Sequence, residues 1–241
     1  RRDNVKSVLK AASARVCEAL RSIEEYSKVT IAPEIAAGIE QLRYRVYDLE
    51  KTLLARLTRA AFGRVQVYVL ITEELCRFDP VTTAKEALRG GADCIQFREK
   101  ELQGRQTVAT ALEIARLCRE HGAIFIINDR CDLAQACGAD GVHLGQSDLP
   151  PDMARNILGY SAILGRTCHN LDEVSVAKSE DIDYIGIGSI FGSPTKPEVA
   201  RTGTKFIADS RKIYDGPIIA IGGVTATNAR EAIEAGATGV A

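Results

Sequence analysis

The run Val67-Tyr68-Val69-Leu70-Ile71 is apolar throughout and rich in β-branched residues. It is long enough for one buried strand and far short of a membrane-spanning helix of roughly 20 residues. Working outward from it, similar strand-sized runs recur near 93–97, 123–127, 140–143, 161–164, 183–187, 217–221 and 237–241, with helix-length amphipathic stretches between them. Alternation of this kind predicts a parallel α/β architecture, and nearly continuous apolar strands imply a sheet covered on both faces. The fold expected is a (β/α)8 TIM barrel, a design that typically needs about 250 residues. Only about 175 residues follow Val67, so short loops and an eighth unit cut off before its helix are expected. A doubly wound open sheet is the alternative. Against it, Ile71-Thr72-Glu73-Glu74 stands where a dinucleotide-binding sheet would carry Gly-x-Gly-x-x-Gly after its first strand.

Ahead of Phe62-Gly63 the period is helical. Val8, Leu9, Ala12, Val16, Ala19, Leu20 and Ile23 fall on one stripe, and Ile35, Ile39, Leu42, Val46, Leu49 and Leu53 on another. Two amphipathic helices broken near Ala32-Pro33 are predicted. Their remaining positions carry Arg15, Glu18, Arg21, Glu24, Glu25, Glu40, Arg43, Arg45, Asp48, Glu50 and Lys51, read as a solvated mixed-charge surface. The expected organisation is a partial helical region over 1–60 followed by the barrel over 65–241. The chain opens at Arg1-Arg2-Asp3 and stops at Thr238-Gly239-Val240-Ala241 inside an apolar strand, which reads as a fragment at both ends.

Charge narrows the partners. Lys and Arg number 31 against 32 Asp and Glu, a net charge of -1, so no bulk field draws the chain to nucleic acid or an anionic membrane. Any phosphate must be held by a local site. The 7 cysteines are scattered without a Cys-x-x-Cys pair, a pattern of reduced core thiols expected of a cytoplasmic protein.

A parallel barrel presents its reactive groups at the C-terminal ends of its strands. The second strand ends in Gln96-Phe97-Arg98-Glu99-Lys100, and alternation sets Gln96, Arg98 and Lys100 on one side against Phe97 and Glu99 on the other. The first set is an anion clamp, unless Glu99 or Glu101 neutralises it. Asn128-Asp129-Arg130 ends the third strand, and the fourth leads through His143 to Asp148. Two isolated carboxylates beside cations suit a magnesium ion that bridges protein and diphosphate; each taken alone reads as a helix cap. His143 reads as a hydrogen-bonded structural group or a substrate contact. After the fifth strand comes Gly165-Arg166-Thr167-Cys168-His169. A Cys-His nucleophile is discounted there, since adjacent residues of an extended chain face opposite ways. The loop Gly188 to Gly203, with Ser193, Thr195 and Lys196, and the pair Gly222-Gly223 offer hydroxyls, backbone amides and an ammonium to a second phosphate.

The ordered motifs Gln96-Phe97-Arg98-Glu99-Lys100, Asn128-Asp129-Arg130, Gly141-Val142-His143-Leu144-Gly145-Gln146-Ser147-Asp148, Pro194-Thr195-Lys196-Pro197 and Ala220-Ile221-Gly222-Gly223-Val224 resemble those of the thiamine-phosphate synthases. The resemblance implies a magnesium-dependent transferase joining 4-amino-2-methyl-5-(diphosphooxymethyl)pyrimidine to 4-methyl-5-(2-phosphooxyethyl)thiazole with release of pyrophosphate. It implies magnesium on Asp129 and Asp148, and the diphosphate on Arg98, Lys100, Asn128 and Lys196. Gln96 and Thr167 would place the pyrimidine beside Tyr68 and His143. Ser193, Thr195, Gly203, Gly222 and Gly223 would receive the thiazole phosphate, and the matched motifs add Phe97, Glu99 and Pro194 as substrate contacts. Thr167 replaces a usual serine, and Gly192-Ser193 a usual proline and threonine. Val16 to Tyr26 and Leu42 to Glu50 are similar to the second half of a hydroxymethylpyrimidine-phosphate kinase-like region fused ahead of some bacterial synthases. The partners expected are thus two small molecules, with no nucleic acid and no membrane, and a homo-oligomer left open. Two rivals remain at this point: a thiazole tautomerase, which would leave the acidic pair idle, and a noncatalytic thiazole-phosphate-binding module.

Overall fold

Eight parallel strands follow one another around the sheet in chain order. They are β1 (Tyr68–Ile71), β2 (Cys94–Phe97), β3 (Ile124–Asn128), β4 (Gly141–Leu144), β5 (Ile163–Cys168), β6 (Tyr184–Ile187), β7 (Ile218–Ala220) and β8 (Gly239–Val240). A parallel bridge between Val67 and Val240 joins the last strand to the first and closes the barrel. Between successive strands lie α3 (Pro80–Arg89), α4 (Arg105–His121), α5 (Cys131–Cys137), α6 (Pro151–Leu158), α7 (Leu171–Ser179), α8 (Gly203–Ile213) and α9 (Ala229–Glu234). This is the TIM barrel that the alternation predicts. The computed structural model describes residues 5–30, 33–99, 104–192 and 201–241. Lys100, Ser193, Pro194, Thr195 and Lys196 therefore lie outside the described residues.

One boundary differs from the reading of the sequence. The fifth strand, expected near 161–164, runs Ile163–Cys168, so Arg166 and Thr167 are strand residues rather than loop residues. Thr167 is tolerated because the lumen near the strand ends is polar, whereas Arg166 faces away from the lumen and is held by Glu180 at 3.5 Å and the Gly145 carbonyl at 2.7 Å; an apolar-run criterion overlooks both.

The barrel has two cores. Between strands and helices, Ile71, Ile95, Phe97, Phe125, Ile127, Val142, Leu144, Leu164, Cys168, Ile185 and Ile187 pack with helical residues such as Ala84, Ile114 and Val174. Inside the barrel, Phe62, Val65, Tyr68, Cys94, Ile126, Ile163, Tyr184 and Ile219 form a second cluster. Phe62 stacks on Tyr184 with ring centroids 3.9 Å apart and meets Tyr68 edge-on at 6.3 Å, closing the floor of the lumen. Gly165 makes room for this arrangement: a Cβ there would sit 2.1 Å from Tyr184 Cζ.

At the opposite end from the strand termini, every second strand begins with a side-chain clasp. Asp93 accepts from the amides of Gln66 and Val67, Asp140 from Phe125, Asp183 from Leu164, and the Thr238 hydroxyl from Ile218. Each satisfies an amide at the start of the preceding strand, where the ladder has no partner to offer. Asp183 is buried, and Arg155 neutralises it at 3.0 Å while donating also to the carbonyls of Ala162 and Asp181. Arg211 at this end is likewise engaged with the carbonyls of Tyr214, Gly216 and Gly236.

The chain divides into two compact units, Arg1–Thr58 and Arg59–Ala241. In the first, α1 (Val5–Thr30) and α2 (Pro33–Phe62) are long helices, the second running on past Thr58. The covered face of α1 is not the apolar stripe expected. Ser13, Cys17, Glu24 and Ser27 are buried, whereas Val8, Val16 and Ile23 are exposed. Glu24 can occupy the covered face because Lys28 and Arg43 hold its carboxylate at 2.9 and 3.2 Å; it is not the solvated charge that periodicity suggests. All 7 cysteines are free, and none of the helices among the described residues is long and apolar enough to cross a membrane.

Gly165→Ala should destabilise the barrel by at least the upper end of the roughly 1–3 kcal/mol typical of overpacking, because backbone and a buried ring meet there. Urea denaturation of the purified chain would show it as a lower midpoint with an unchanged slope.

Candidate active site at the C-terminal rim

Parity decides which side chains reach the lumen. Tyr68, Gln96, Asn128, His143, Thr167 and Tyr184 share the inward register of their strands, through the pairs Leu70–Gln96, Asn128–His143, His143–Gly165 and Thr167–Gly186. Five of them are joined side chain to side chain. Gln96 Nε2 donates to Tyr68 Oη at 2.7 Å, and Tyr68 Oη lies 2.9 Å from Tyr184 Oη. Tyr184 Oη is 2.9 Å from His143 Nδ1, and His143 Nε2 is 2.8 Å from Thr167 Oγ1. Gly186 leaves space for the imidazole, since a Cβ there would stand 3.0 Å from His143 Cε1. Burial pushes His143 down to about 4, so the ring is neutral at pH 7. Gln96 is 2% exposed, yet its Oε1 has no partner among the described residues.

Beside this relay stand the carboxylates. Asp129 has a φ of 61°, a left-handed conformation uncommon outside glycine and most accessible to Asn and Asp. It does not cap α5, whose first turn receives no side-chain cap. Nor does Asp148 cap α6; its Oδ2 accepts from Gly145 N at 2.6 Å. The bland reading of both residues as helix caps is thereby removed. Instead the two carboxyl groups meet. Burial and the hydrogen bond and charge of Asp148 push the Asp129 carboxyl up to about 7, opposed by the positive charge of Arg98 and a hydrogen bond from Asn128. Among the described residues no group of three or more His, Cys, Asp or Glu side chains is placed to hold a metal. The pair Asp129 and Asp148, all hard oxygen and short of counter-charge, has the chemistry of a magnesium site completed by water and substrate oxygens.

Arg98 forms no salt bridge among the described residues, so the neutralised-clamp reading fails for Glu99, whose carboxylate instead accepts from Glu73 N at 2.6 Å. Phe97 is not brought to this site at all. Its ring is buried in the layer between strands and helices, because alternation from Gln96 turns it outward. Cys168 also faces outward and is fully buried, and burial pushes its thiol up to about 12. With His169 hydrogen-bonded to Glu173, no Cys-His pair forms, as alternation predicts.

The loops after β6 and β7 are tied together. Ile190 N donates to Ile221 O, Phe191 N to Gly222 O, and Thr202 N to Ser189 O. Gly203 N donates to Ile190 O, so this amide, expected at a phosphate, is already engaged. Gly222 and Gly223 have φ of 98° and 69°, and a Cβ on the latter would lie 1.9 Å from Gly192 O. Their amides donate to no acceptor among the described residues. Tyr184 and Arg166 escaped the sequence reading. Neither receives a role there; Arg166 donates to Gly145 O at 2.7 Å and braces the turn that carries Asp148. Periodicity alone marks Tyr184 as inward once Gly186 is placed.

A closed parallel barrel with its polar side chains gathered at the C-terminal mouth defines a TIM-barrel protein of the kind that works on small molecules at that rim. The thiamine monophosphate synthase family profile matches residues 67–241, and the ThiD2 family profile matches 1–52. A thiamine-phosphate synthase of Nostoc punctiforme is 40% identical over 242 residues, covering 100% of this chain and 67% of that protein. One of Thermosynechococcus vestitus is 42% identical over 242 residues, with 100% and 68% covered. A solved thiamine phosphate pyrophosphorylase of Pyrococcus furiosus superposes with a TM-score of 0.68 at 32% identity, over 74% of this chain and 85% of its own. The chain belongs to the thiamine monophosphate synthase family.

Asp129→Asn gives a pH test of the carboxyl pair in metal-free buffer with chelator. A carboxyl raised from 3.8 to about 7 contributes stability that is complete below 3.8 and lost as pH rises through 7. The variant should therefore melt above the wild type at pH 8, with the gap closing by pH 4 in differential scanning calorimetry.

Proposed function

We propose that this chain is the transferase that joins an aminopyrimidine methyl diphosphate to a thiazole phosphate, giving thiamine phosphate and pyrophosphate. The observation that carries the reading is the convergence, at one rim, of the lumen relay with the Asp129–Asp148 pair and Arg98 in a chain of this family. Gln96 and Thr167 orient the pyrimidine, with Tyr68 and His143 behind them. Arg98, Asn128, Lys100 and Lys196 hold the diphosphate, and Asp129 with Asp148 would hold a magnesium ion. When bound, that ion supplies neutralising charge for the departing oxyanion. The paired amides of Gly222 and Gly223, with Ser193 and Thr195, receive the phosphate of the thiazole.

The chemistry asks for little acid–base work. Breaking the C–O bond to pyrophosphate leaves a pyrimidinylmethyl cation, stabilised by electron donation from the ring amino group, and the thiazole nitrogen then forms the new C–N bond. The protein's task is electrostatic stabilisation of the leaving anion together with alignment of the two reactants, and alignment alone can supply about 7–11 kcal/mol. A neutral His143 fits this scheme, because a second positive charge at the lumen would oppose the developing carbocation.

Arg98→Ala and Lys196→Ala should each lower kcat at least tenfold while changing KM for the thiazole phosphate less than about threefold, since they act on the departing charge. Steady-state assays of pyrophosphate release, with and without magnesium, read both numbers. Full activity in the Lys196 variant, or product formation in excess chelator, would refute the assignment.

A further inference from the structure

Two proton orders run through the relay in a single direction from one end to the other. A tyrosine hydroxyl has one proton to give, and a neutral imidazole has one donor and one acceptor nitrogen. In the first, Gln96 Nε2 donates to Tyr68 Oη, Tyr68 to Tyr184, and Tyr184 to His143 Nδ1. His143 then carries its proton on Nε2 and donates to Thr167 Oγ1. Two ends remain open. The Thr167 hydroxyl is left to donate away from the relay, and Gln96 Oε1, on a side chain 98% buried by its 2% exposure, is left to accept. In the reverse order the Gln96 amide is turned over, His143 carries its proton on Nδ1, and both open ends exchange roles.

We propose that Tyr184 is a positioning residue for substrate specificity: from the middle of the relay it couples the two ends, so that Thr167 presents a donor while the buried Gln96 amide presents an acceptor, and reversing either end requires turning that amide over. That pair complements an amino group and an unprotonated ring nitrogen. It opposes a carbonyl and a ring N–H, which would need the reverse order throughout. The inference rests on the reading of the substrate as an aminopyrimidine diphosphate and extends it to the rejection of the corresponding 4-oxo pyrimidine. Tyr184 suits the role because nothing about its seat is adjustable. Its ring is clamped between Phe62 at 3.9 Å and the bare backbone of Gly165, so its hydroxyl holds one place between Tyr68 and His143. Buried sites that hydrogen-bond a substrate discriminate strongly, since the wrong partner leaves their groups unpaired.

Two measurements on the whole chain test this. The protein has only 3 histidines, so ¹⁵N NMR can assign the His143 ring nitrogens by comparison with His143→Gln. The expected signature at pH 7 is the neutral Nε2–H tautomer, turning to a mixture in Tyr184→Phe, which keeps the stacked ring and removes the hydroxyl. The second readout is the ratio of kcat/KM for the amino pyrimidine diphosphate to that for its 4-oxo analogue. It should fall at least about tenfold in Tyr184→Phe and be retained in Thr167→Ser, which keeps the hydroxyl. If Tyr184→Phe does not fold, Tyr68→Phe cuts the same relay one link earlier and should give the same loss. An Nδ1–H tautomer in the wild type, or an unchanged ratio in the cut relay, overturns the proposal. A wild type that turned over neither pyrimidine would sink the assigned reaction and the specificity claim with it, while an Nε2–H signature in that sample would still uphold the proton order.

Discussion

A closed parallel barrel must fill its own interior, and the way this one does so governs everything above it. The floor is aromatic: Phe62, Tyr68 and Tyr184 pack in mutual contact with Ile126, Ile163 and Ile219. Aromatic rings carry large buried area, and tyrosine adds a polar tip that must find a partner when it is buried. Both tyrosine hydroxyls point upward into the lumen, where they oblige Gln96 and His143 to complete their hydrogen bonds. The polar relay is thus a direct consequence of how the apolar floor is built. A floor of leucines would impose no such order on the groups above.

The same rim carries a second constraint, electrostatic rather than steric. Two carboxyl groups face each other with Arg98 as an opposing charge among the described residues, and the backbone at Asp129 accepts a left-handed conformation to keep them there. Arg166 and the Gly145 amide fix the turn on the other side. Burial and the neighbouring carboxyl make this corner favour a proton shared between Asp129 and Asp148, and the diphosphate site proposed above would need a cation in its place. The contrast with the opposite end of the barrel is plain. There Asp93, Asp140 and Asp183 each accept strand amides, and Arg155 neutralises the buried one, so that end contributes stability rather than chemistry.

Much of this was legible in the sequence because strands buried on both faces are almost pure apolar runs. The order of eight such runs gave the barrel, and period-2 alternation separated the lumen-facing Gln96 from Phe97. The matched motifs nonetheless put Phe97 among the substrate contacts, and the structure turns that ring outward. The fifth strand was placed too early because its inward positions are Gly165 and Thr167, residues that look like a turn until the ring they accommodate is known. Tyr184 was invisible for the complementary reason: its significance lies in a glycine one strand away. In the helical unit, period located the helices and misjudged the covered face, since an ion pair between Glu24 and Arg43 lets a charge lie where an aliphatic residue was expected. Residues of the motif Pro194-Thr195-Lys196-Pro197 rest on family resemblance alone.

The pairing of the loops beyond β6 and β7 has a consequence for how such a protein can diverge. Ile190 and Phe191 continue the ladder with Ile221 and Gly222, and Gly223 abuts the carbonyl of Gly192 with no room for a methyl group. An insertion in either segment would shift one register against the other and strip several amides of their acceptors at once. Length polymorphism in these two paired segments is therefore tolerated only as matched changes in both.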